Sequence, residues 1–464
     1  MKKTKIICTV ADNRCDVDFI RSLYDNGMNV VRINSAHATE EGAQMIVDNV
    51  RRVSEKIAIL IDTKGPEVRL TDMKEGYLAK EGDIIEIHDD TGMECEKGHL
   101  HTTYPSMSRD VPNGAKILID DGSVELEVIN KMEDKLVCRV KNEGMIKGHK
   151  SVNIPNVHIH LPALTEKDRK FVDWAIRANI DFIAHSFVRN ASDLIEIQRI
   201  LDEKESHIKI ISKIENQSGV DNLNEILTHC YGVMVARGDL GVEMPAEKIP
   251  IVQKQIVHAC RERKKPVIVA TQMLQSMIDN PRPTRAEVTD VANAIFQGAD
   301  AIMLSGESAY GKYAAEAVAT MTRIAEENES ALGVDLELNL SKTVKPVAAV
   351  LAKSLVSATL ELPVKAIVFD TFTGRVGRYL STFRPHVPMY AMCYTDHVMR
   401  ELALVRGVEA IKCSRYSNKE EFARTSINIL LERGAISQGD LIGYIGGEFG
   451  SQVGATYMEL KYVQ

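Results

Sequence analysis

The chain lacks any long apolar run, and no stretch of its 464 residues approaches the roughly 20 consecutive apolar residues that a membrane span requires. The apolar run at residues 6–10 stops at Asp12, which makes it too short for the apolar region of a signal peptide. The sequence also contains no internal repeat of fixed period and no low-complexity tract. We therefore expect a globular protein with no membrane partner and no secretory signal.

Positive charge and paired cysteines are also scarce. The 57 Lys and Arg residues are outnumbered by 65 Asp and Glu residues, which gives a net charge of −8. This balance argues against sequence-independent binding to nucleic acid, which needs an excess of cations along the phosphates, but it leaves a local phosphate site open. The eight cysteines are far apart and form no C-x-x-C pair. We expect reduced, buried thiols and a cytoplasmic location.

The sequence does contain a series of short runs typical of buried strands. Between residues 208 and 307, four runs of five to seven residues are rich in Val and Ile and show little polar alternation, and each gap between them is long enough for one helix. Such runs predict parallel strands of βα units. These four runs are IKIISKI, YGVMVAR, PVIVAT and AIMLS, and four similar runs precede them: IICTV, NVVRIN, IAILID and DFIAHSF.

Eight strands are the number that closes a (β/α)8 TIM barrel, whose active site lies at the carboxyl ends of its strands. We predict helices near residues 16–26 and 39–55, and a further helix that opens with a capping box of Thr165 and Asp168. After the third strand, short alternating segments replace the βα rhythm, which predicts a small β-barrel domain inserted on the top face as a lid. After a linker at residues 331–346, helix and strand alternate again in AIVFD, PMYAM, GVEAIK and DLIGYI, which predicts a doubly wound α/β domain.

The fold class is therefore an α/β TIM barrel with an inserted lid and a C-terminal α/β domain. A chain of 464 residues also exceeds what one hydrophobic core usually serves. The predicted ranges are 1–66 and 159–330 for the barrel, 67–158 for the lid and 340–464 for the last domain.

Acidic residues end two neighbouring predicted strands. Glu215 and Asp239 can converge on one cation, and two carboxylates completed by water and substrate oxygens suit Mg²⁺ or Mn²⁺. Lys213 lies two residues before Glu215 and so points to the same side, where it can stabilise a transferring phosphoryl group or an enolate. Helix capping by the acids and a structural Lys213–Glu215 ion pair are the alternatives, and for one acid alone capping would be favoured.

Other polar groups are predicted on the same face. Gly238, at an expected helix start, offers backbone amides to an anion, although it could be only a turn residue. Thr271 ends the seventh strand, where a threonine is also common as a helix N-cap. Several residues at or beyond the second and third strands suit a polyphosphate or form a solvated rim: Arg32, Asn34, Asp62, Thr63, Lys64 and Arg69.

Several longer stretches cover the predicted barrel nearly end to end: TKIICT, GMNVVRIN, IDTKGPEVR, SKIENQSGV, VMVARGDLG, PVIVATQMLQSMIDNPRPTRAEVTDVANAI and GADAIMLSGESA. These stretches resemble the pyruvate kinase family. The NPRPTRAE block is the most specific of these. The lid and the C-terminal domain match the family's lid and regulatory domains in order and size, and more loosely in sequence.

The resemblance implies a phosphotransferase that moves the phosphoryl group of phosphoenolpyruvate to ADP, giving pyruvate and ATP in the final step of glycolysis. It implies that Glu215 and Asp239 hold Mg²⁺ or Mn²⁺, that Lys213 and Arg32 contact the phosphoryl group, and that Thr271 lies on the proton route to the enolate. The implied substrate-binding residues are Arg32, Lys213, Gly238, Asp239 and Thr271, and the implied nucleotide-binding residues are Arg69, Lys150 and Asp121.

The resemblance also implies a potassium ion bound by Asn34, Asp62 and Thr63. Ala36 stands where the family pattern has a hydroxyl residue, so we expect weaker binding, with Ser35 or water substituting. Glu67, which closely follows Thr63 in the sequence, is typical of potassium-requiring members of the family. Ser305 and Glu307 match the family motif but receive no individual role.

In the last domain, the residues that resemble the family's loop for a sugar-phosphate activator are Thr371, Thr373, Gly374 and Arg375. An acid, Glu448, lies in the final loop and would repel a bisphosphate, so we hypothesise weak or absent activation by fructose bisphosphate. A homotetramer is implied by the resemblance alone.

Two other functions fit part of the pattern. An aldolase or mutase of the phosphoenolpyruvate and pyruvate enolate type also uses a Glu and Asp pair on Mg²⁺, but it needs no ADP site. A catalytically silent paralogue that acts as a ligand sensor or scaffold would explain Ala36 and Ala11. The predicted lid, the C-terminal domain and the extra cations Arg32, Lys64 and Arg69 favour the kinase over the first alternative. The intact Lys213, Glu215, Asp239 and Thr271 count against the second.

Overall fold

The structure is a computed structural model that describes residues 2–157, 159–339, 345–447 and 454–464. The first βα units begin as the sequence predicts, because the side chains of Asp16 and Thr39 cap the two helices by accepting backbone N–H groups. The elements are β1 (Lys5–Thr9), α1 (Val17–Asp25), β2 (Val30–Asn34), α2 (Glu40–Val53) and β3 (Ala58–Asp62).

The inserted domain is a curled sheet around its own apolar core. Buried residues such as Ile85 and Ile87 alternate with more exposed neighbours, which is the pattern of a sheet with one covered face. Its elements are β4 (Tyr77–Ala79), β5 (Ile84–His88), β6 (His99–His101), α3 (Met107–Asp110), β7 (Lys116–Ile119), β8 (Val124–Lys131), β9 (Lys135–Val140), β10 (Gly144–Ile146) and β11 (Val152–Asn153). Six strands run in the order β11-β7-β8-β9-β5-β6, in which β5 and β6 are parallel and the other pairs antiparallel.

The chain then returns to the barrel through α4, whose predicted capping box of Thr165 and Asp168 is confirmed. The elements are α4 (Glu166–Arg177), β12 (Phe182–His185), α5 (Ala191–Glu203), β13 (Lys209–Ile214), α6 (Gln217–Asp221), α7 (Leu223–His229), β14 (Gly232–Ala236), α8 (Arg237–Glu243), α9 (Ile249–Glu262), β15 (Val267–Ala270), α10 (Arg285–Gln297), β16 (Ala301–Leu304), α11 (Gly306–Ala309) and α12 (Ala314–Glu329).

Within the described residues, eight parallel strands close a barrel in the order β1-β16-β15-β14-β13-β12-β3-β2. They are the eight strands that the apolar runs predict. Five neighbouring strands each contribute an apolar side chain to the barrel interior: Ile7, Val30, Leu60, Ala184 and Ile211. Two residues further along the same strands, the inward positions at the carboxyl end become polar: Thr9, Arg32, Asp62, Ser186 and Lys213. A polar layer therefore lies directly on the apolar one.

The C-terminal domain is an α/β sandwich with strand order β19-β18-β17-β20-β21. Its elements are α13 (Pro346–Glu361), β17 (Val364–Thr371), α14 (Arg375–Thr382), β18 (Met389–Cys393), α15 (Asp396–Glu401), β19 (Val408–Lys412), α16 (Lys419–Glu432), β20 (Leu441–Gly446) and β21 (Tyr457–Tyr462). The four predicted strands are present. The fifth, β21, is an additional antiparallel edge strand whose half-exposed sequence YMELKY lacks an apolar run.

The C-terminal domain packs against the floor of the barrel, where the strands begin. Leu404 is fully buried and belongs to the apolar cluster of the barrel interior. Two buried ion pairs flank it, Arg400 Nε to Asp181 Oδ1 at 2.6 Å and Arg384 Nη1 to Asp300 Oδ1 at 2.8 Å. The architecture confirms the predicted barrel, lid and C-terminal α/β domain, while the predicted boundaries at residues 158 and 340 lie outside the described residues.

Short 3-10 segments complete the described secondary structure at Asp12–Arg14, Ala246–Lys248, Gln275–Ile278 and Leu402–Leu404. No helix in the described part of the chain combines the length and the apolarity that crossing a membrane requires.

Candidate active site

Lys213 lies at the centre of the polar layer. Its Nζ atom is 2.8 Å from Glu215 Oε1 and 3.2 Å from Asp62 Oδ2, and it donates a hydrogen bond to Ser186 Oγ at 2.8 Å. The ion pair with Glu215 that the spacing allows is therefore present, and it is part of a larger network. Burial opposes ionisation of this lysine, but Glu215 and Asp62 outweigh it and raise the pKa of Lys213. The side chain is held as a buried cation.

Arg32 is the second cation of this layer. Its Nη2 atom is 2.6 Å from Asp62 Oδ2, and its Nη1 atom donates to Thr9 Oγ1 at 3.0 Å. Burial disfavours the charged form of Asp62, yet Arg32 and Lys213 more than compensate and lower the pKa of its carboxyl group. Two cations thus share one carboxylate, and both are held at the carboxyl ends of the barrel strands.

Glu215 and Asp239 lie close enough for their charges to interact. Glu215 is almost fully buried, and its Oε2 atom accepts the backbone N–H of Phe187 at 2.6 Å. Burial raises the pKa of Glu215 to about 7, with Lys213 opposing this shift and Asp239 adding to it. Asp239 lies in the first turn of α8, and within the described ranges its carboxylate accepts no hydrogen bond. Two mutually repelling carboxylates with free oxygen lone pairs suit a divalent cation.

Thr271 follows β15 in a strained conformation. Its φ is 68° and that of Gln272 is 51°, values in the left-handed region that non-glycine residues avoid. Its Oγ1 accepts the backbone N–H of Gly238 at 2.8 Å and donates to the carbonyl oxygen of Ala270 at 2.6 Å. Arg237 donates to the Thr271 carbonyl oxygen at 2.6 Å. The threonine hydroxyl is thereby held against the start of α8, beside Asp239.

Glu307 maintains this conformation from the neighbouring strand end. It is fully buried, accepting the backbone N–H groups of Leu274 at 3.0 Å and Ser305 at 2.8 Å. These two bonds connect the loop after β15 with the end of β16. Glu307, which has no individual role in the sequence analysis, therefore acts as a positioning residue for the Thr271 loop, while Ser305 contributes a backbone amide.

A cleft of about 560 Å³ lies between the lid and the mouth of the barrel. It is lined by residues from both domains, among them Arg69, Asp121, Lys150 and Asp239. Lys150 pairs with Asp120 at 2.9 Å and Arg69 with Glu67 at 2.6 Å, both at partly exposed positions. The structure thus brings the three candidate nucleotide-binding residues to the same cleft as the candidate metal ligand Asp239.

Comparison with known proteins agrees with this geometry. The family model for the pyruvate kinase barrel domain matches residues 1–318, and the model for the pyruvate kinase alpha/beta domain matches residues 349–458. The chain belongs to the pyruvate kinase family. The resemblance read from the sequence is confirmed, and with it the assignment to this class of phosphotransferase.

The relatives match over the whole chain. A pyruvate kinase of Borreliella burgdorferi is 44% identical over 470 residues, covering 100% of this chain and 98% of the relative. A pyruvate kinase of Geobacillus stearothermophilus is 43% identical, covering 100% of this chain and 80% of the relative. A crystal structure of a pyruvate kinase from Cryptosporidium parvum superposes with a TM-score of 0.94 at 35% identity, covering 100% of this chain and 96% of that one.

The candidate potassium ligands of this pyruvate kinase family member are adjacent on β2 and β3. Asn34 and Asp62 are register partners, and Thr63 follows directly. Asp62 Oδ1 is buried and, among the described residues, has no hydrogen-bond partner, whereas Asn34 Oδ1 accepts the N–H of Ala36 at 3.2 Å. Ser35 is also fully buried, with an unpartnered Oγ in the described part of the chain. An orphaned carboxylate oxygen fits a cation, while Ala36 offers no side-chain oxygen.

The four candidate regulatory residues lie in the C-terminal domain, far along the chain from the barrel mouth. Thr371 ends β17, and its Oγ1 accepts the N–H groups of Gly374 at 2.9 Å and Thr373 at 3.3 Å. Gly374 has a φ of 64°, which a glycine adopts without strain, and Arg375 starts α14. The loop is ordered by its own threonine. Glu448, the acid expected to oppose a bisphosphate, lies outside the described residues.

Sequence reasoning missed two supporting residues. Ser186 accepts from Lys213 and donates to the carbonyl oxygen of Thr63 at 2.7 Å. Asp290, on α10, pairs with Arg237 at 2.6 Å and so fixes the guanidinium that contacts the Thr271 loop. Ser186 could have been predicted, because the run DFIAHSF also carries polar residues, His185 and Ser186, near its carboxyl end. Asp290 could not, because its helical position resembles any surface acid.

Proposed function

We propose that the chain transfers the phosphoryl group of phosphoenolpyruvate to ADP, giving pyruvate and ATP, the last step of glycolysis. The observation that supports this most directly is the buried Lys213, held between Asp62 and Glu215 beside Arg32 in the polar layer at the mouth of the barrel. An anion bound beside this layer meets two fixed and largely buried cations, where electrostatic stabilisation is stronger than in water.

The roles follow from position. Lys213 and Arg32 stabilise the charge that develops on the phosphoryl group, since both are held in place before substrate arrives. The Thr271 hydroxyl and the backbone amides of Gly238 and Asp239 bind the substrate carboxylate, with the hydroxyl redirecting its proton from the Ala270 carbonyl oxygen to the ligand and the Gly238 N–H turning from Thr271 Oγ1 to the ligand. Thr271 also lies on the proton route to the enolate. Arg69, Lys150 and Asp121 bind the nucleotide as the lid closes.

Two cations complete the proposal. Glu215 and Asp239 hold Mg²⁺ or Mn²⁺, which when bound neutralises phosphoryl charge and polarises the substrate oxygens. Asn34, Asp62 and Thr63 hold K⁺, with the unpartnered Asp62 Oδ1 as the main argument and Ala36 as the reason for weaker binding. We further propose a cytoplasmic homotetramer. Its cytoplasmic location is supported by the eight cysteines, all of them free and seven of them buried.

A coupled assay for pyruvate, run with phosphoenolpyruvate, ADP and Mg²⁺, tests the function. Lys213→Met and Asp239→Asn should each lower turnover at least about 10²-fold, because each removes charge that is needed in the transition state. Lys209→Met is the matched control, since Lys209 starts the same strand at the opposite end of the barrel. It should retain the wild-type rate.

Two results would contradict the proposal. Wild-type turnover in both active-site variants would refute the assigned roles. Consumption of phosphoenolpyruvate without ADP and without release of pyruvate would instead support an aldolase or mutase of the enolate type.

A further inference from the structure

The outer face of the lid carries a cluster that the proposed reaction does not use. Glu86 and His88 alternate with the buried Ile85 and Ile87 along β5, so their side chains lie on the face turned away from the lid core. His99, on the edge strand β6, is the register partner of Glu86. We call Glu86, His88 and His99 the lid triad.

Three atoms of the lid triad form a nearly equilateral triangle. His88 Nε2 is 3.3 Å from His99 Nδ1 and 3.3 Å from Glu86 Oε2, and His99 Nδ1 is 3.2 Å from the same oxygen. Hydrogen bonds cannot satisfy all three sides, because they prefer nearly linear geometry and one proton cannot point along two sides at once. A cation above the centre of the triangle can bind all three lone pairs.

The dimensions match a tetrahedral metal ion. Zn²⁺ keeps nitrogen and oxygen ligands about 2.0–2.2 Å away, which separates neighbouring ligand atoms by about 3.3–3.6 Å. The three sides of the lid triad meet the lower end of this range without rearrangement of the backbone. The fourth position faces solvent and is available to water, since all three side chains are partly exposed.

Neighbouring side chains hold the ligands in place. Glu86 Oε1 accepts from Lys135 Nζ at 2.9 Å, which orients the carboxylate and leaves Oε2 for the triangle. The His101 ring stacks on His88 with centroids 5.0 Å apart, and His101 Nδ1 is itself bonded to the Asp90 carbonyl oxygen at 2.9 Å. Such outer contacts are typical of metal sites, where they fix ring orientation and ligand basicity.

We propose that the lid triad binds one Zn²⁺ ion, or a similar imidazole-preferring divalent ion, through two histidines and one carboxylate. This site goes beyond the proposed function and is distinct from the pair Glu215 and Asp239. The two sites differ in chemistry, because Mg²⁺ prefers an octahedron of oxygen ligands whereas imidazole suits Zn²⁺, Cu²⁺ and Ni²⁺. The bound ion joins the edge strand β6 to β5.

Calorimetric titration of the chelator-treated full chain with ZnCl₂, in the presence of saturating Mg²⁺, tests the site. We expect one Zn²⁺ per chain, and we expect His88→Gln and His99→Gln each to weaken binding at least about tenfold, because each removes one of three ligands. The matched control is His258→Gln. His258 is also an exposed histidine beside a glutamate, Glu262, at 3.8 Å, but in the described part of the chain this pair belongs to no cluster of three metal-ligating groups. Its affinity should equal that of the wild type.

Unchanged affinity in both triad variants, an equal loss in the control, or no binding to the wild-type chain would each overturn the proposal. The triad residues are surface positions, so the variants should keep the wild-type unfolding midpoint when Zn²⁺ is absent. Glu86→Gln provides a third variant if either histidine change prevents folding. Because the titration measures binding and not pyruvate formation, its failure is distinguishable from failure of the proposed activity.

Discussion

The floor and the mouth of the barrel both bury carboxylates, but they satisfy them differently. At the floor, Asp181 receives Arg400 Nε on one oxygen and the Ile59 N–H on the other, at 2.6 and 2.8 Å. Asp300 is likewise held on both oxygens, by Arg384 at 2.8 Å and by the Val267 N–H at 3.1 Å. Each floor carboxylate is therefore satisfied on both oxygens by protein donors.

At the mouth, the corresponding groups are left incomplete. Asp62 has one buried oxygen with no hydrogen-bond partner among the described residues, and Asp239 accepts no hydrogen bond within the described ranges. The backbone of Thr271 and Gln272 is strained there as well. The comparison shows that one scaffold uses buried charge in two ways: the floor charges join two domains, and the mouth charges are available to ligands.

The largest expected effect comes from removing one buried cation at each end of the barrel. At the floor we expect a loss of stability, and at the mouth we expect a loss of turnover. Arg400→Met should destabilise the fold by about 3 kcal/mol, because it leaves Asp181 incompletely paired, and turnover should stay within about twofold. Urea unfolding and the pyruvate assay measure the two quantities, with Lys213→Met as the opposite case. Arg433→Met, at a half-exposed ion pair with Glu409, is the control and should change stability by less than about 1 kcal/mol. Loss of turnover in Arg400→Met would contradict the distinction between floor charges that join two domains and mouth charges that are available to ligands.

A smaller effect should come from releasing the strain at the mouth. Gln272→Gly should raise the free energy of unfolding by about 1 kcal/mol, because glycine adopts the left-handed conformation of the exposed Gln272 without a steric penalty. Gln275→Gly, in the nearby 3-10 segment, should lower it by about 0.5–1 kcal/mol, because no strain is relieved there. The same sign of change in both variants would show that the φ of Gln272 stores no strain.

The next effect concerns the proposed potassium site, where Ala36 offers no side-chain oxygen. Ala36→Ser should lower the half-saturating K⁺ concentration for activity about fivefold, if one added ligand oxygen contributes about 1 kcal/mol. Ala38→Ser, two residues on, is the control and should leave the K⁺ titration unchanged. Full wild-type activity without any monovalent cation would refute the site itself.

The smallest effect is expected at the candidate regulatory loop. Addition of fructose bisphosphate should change the half-saturating phosphoenolpyruvate concentration by less than about twofold, because Glu448, between β20 and β21 in the sequence, adds a negative charge that would repel the bisphosphate. A pronounced drop in half-saturation on adding the bisphosphate would disprove the hypothesis. Steady-state assays at several substrate concentrations suffice for this comparison.

Much of the barrel could be predicted because its strands are buried on both faces and so appear as continuous apolar runs. The alternation of side chains along a strand also predicted that Lys213 and Glu215 lie on one side, and Lys213 Nζ is 2.8 Å from Glu215 Oε1. This alternation gives the direction of a side chain but not its distance from residues on other strands. It could not indicate that Lys213 also reaches Asp62 on β3, because that contact depends on how the closed barrel brings separate strands together.

The remaining features depend on tertiary structure that no local pattern encodes. The residue type threonine does not indicate a φ of 68°, so the strain at Thr271 could not be predicted from the sequence. The role of Glu307 arises from two backbone amides on different loops. The lid triad depends on the parallel pairing of β5 with β6, which the alternating segments of the sequence do not indicate.

The pairing of β1 with β16 and the burial of Leu404 inside the barrel also determine how late in synthesis the barrel can be completed. During synthesis, the first strand has no partner on one edge until residue 304 has left the ribosome. The barrel interior then lacks one of its side chains until residue 404 follows. For most of translation the nascent chain exposes an unpaired strand edge and an open apolar floor, the features that chaperones recognise.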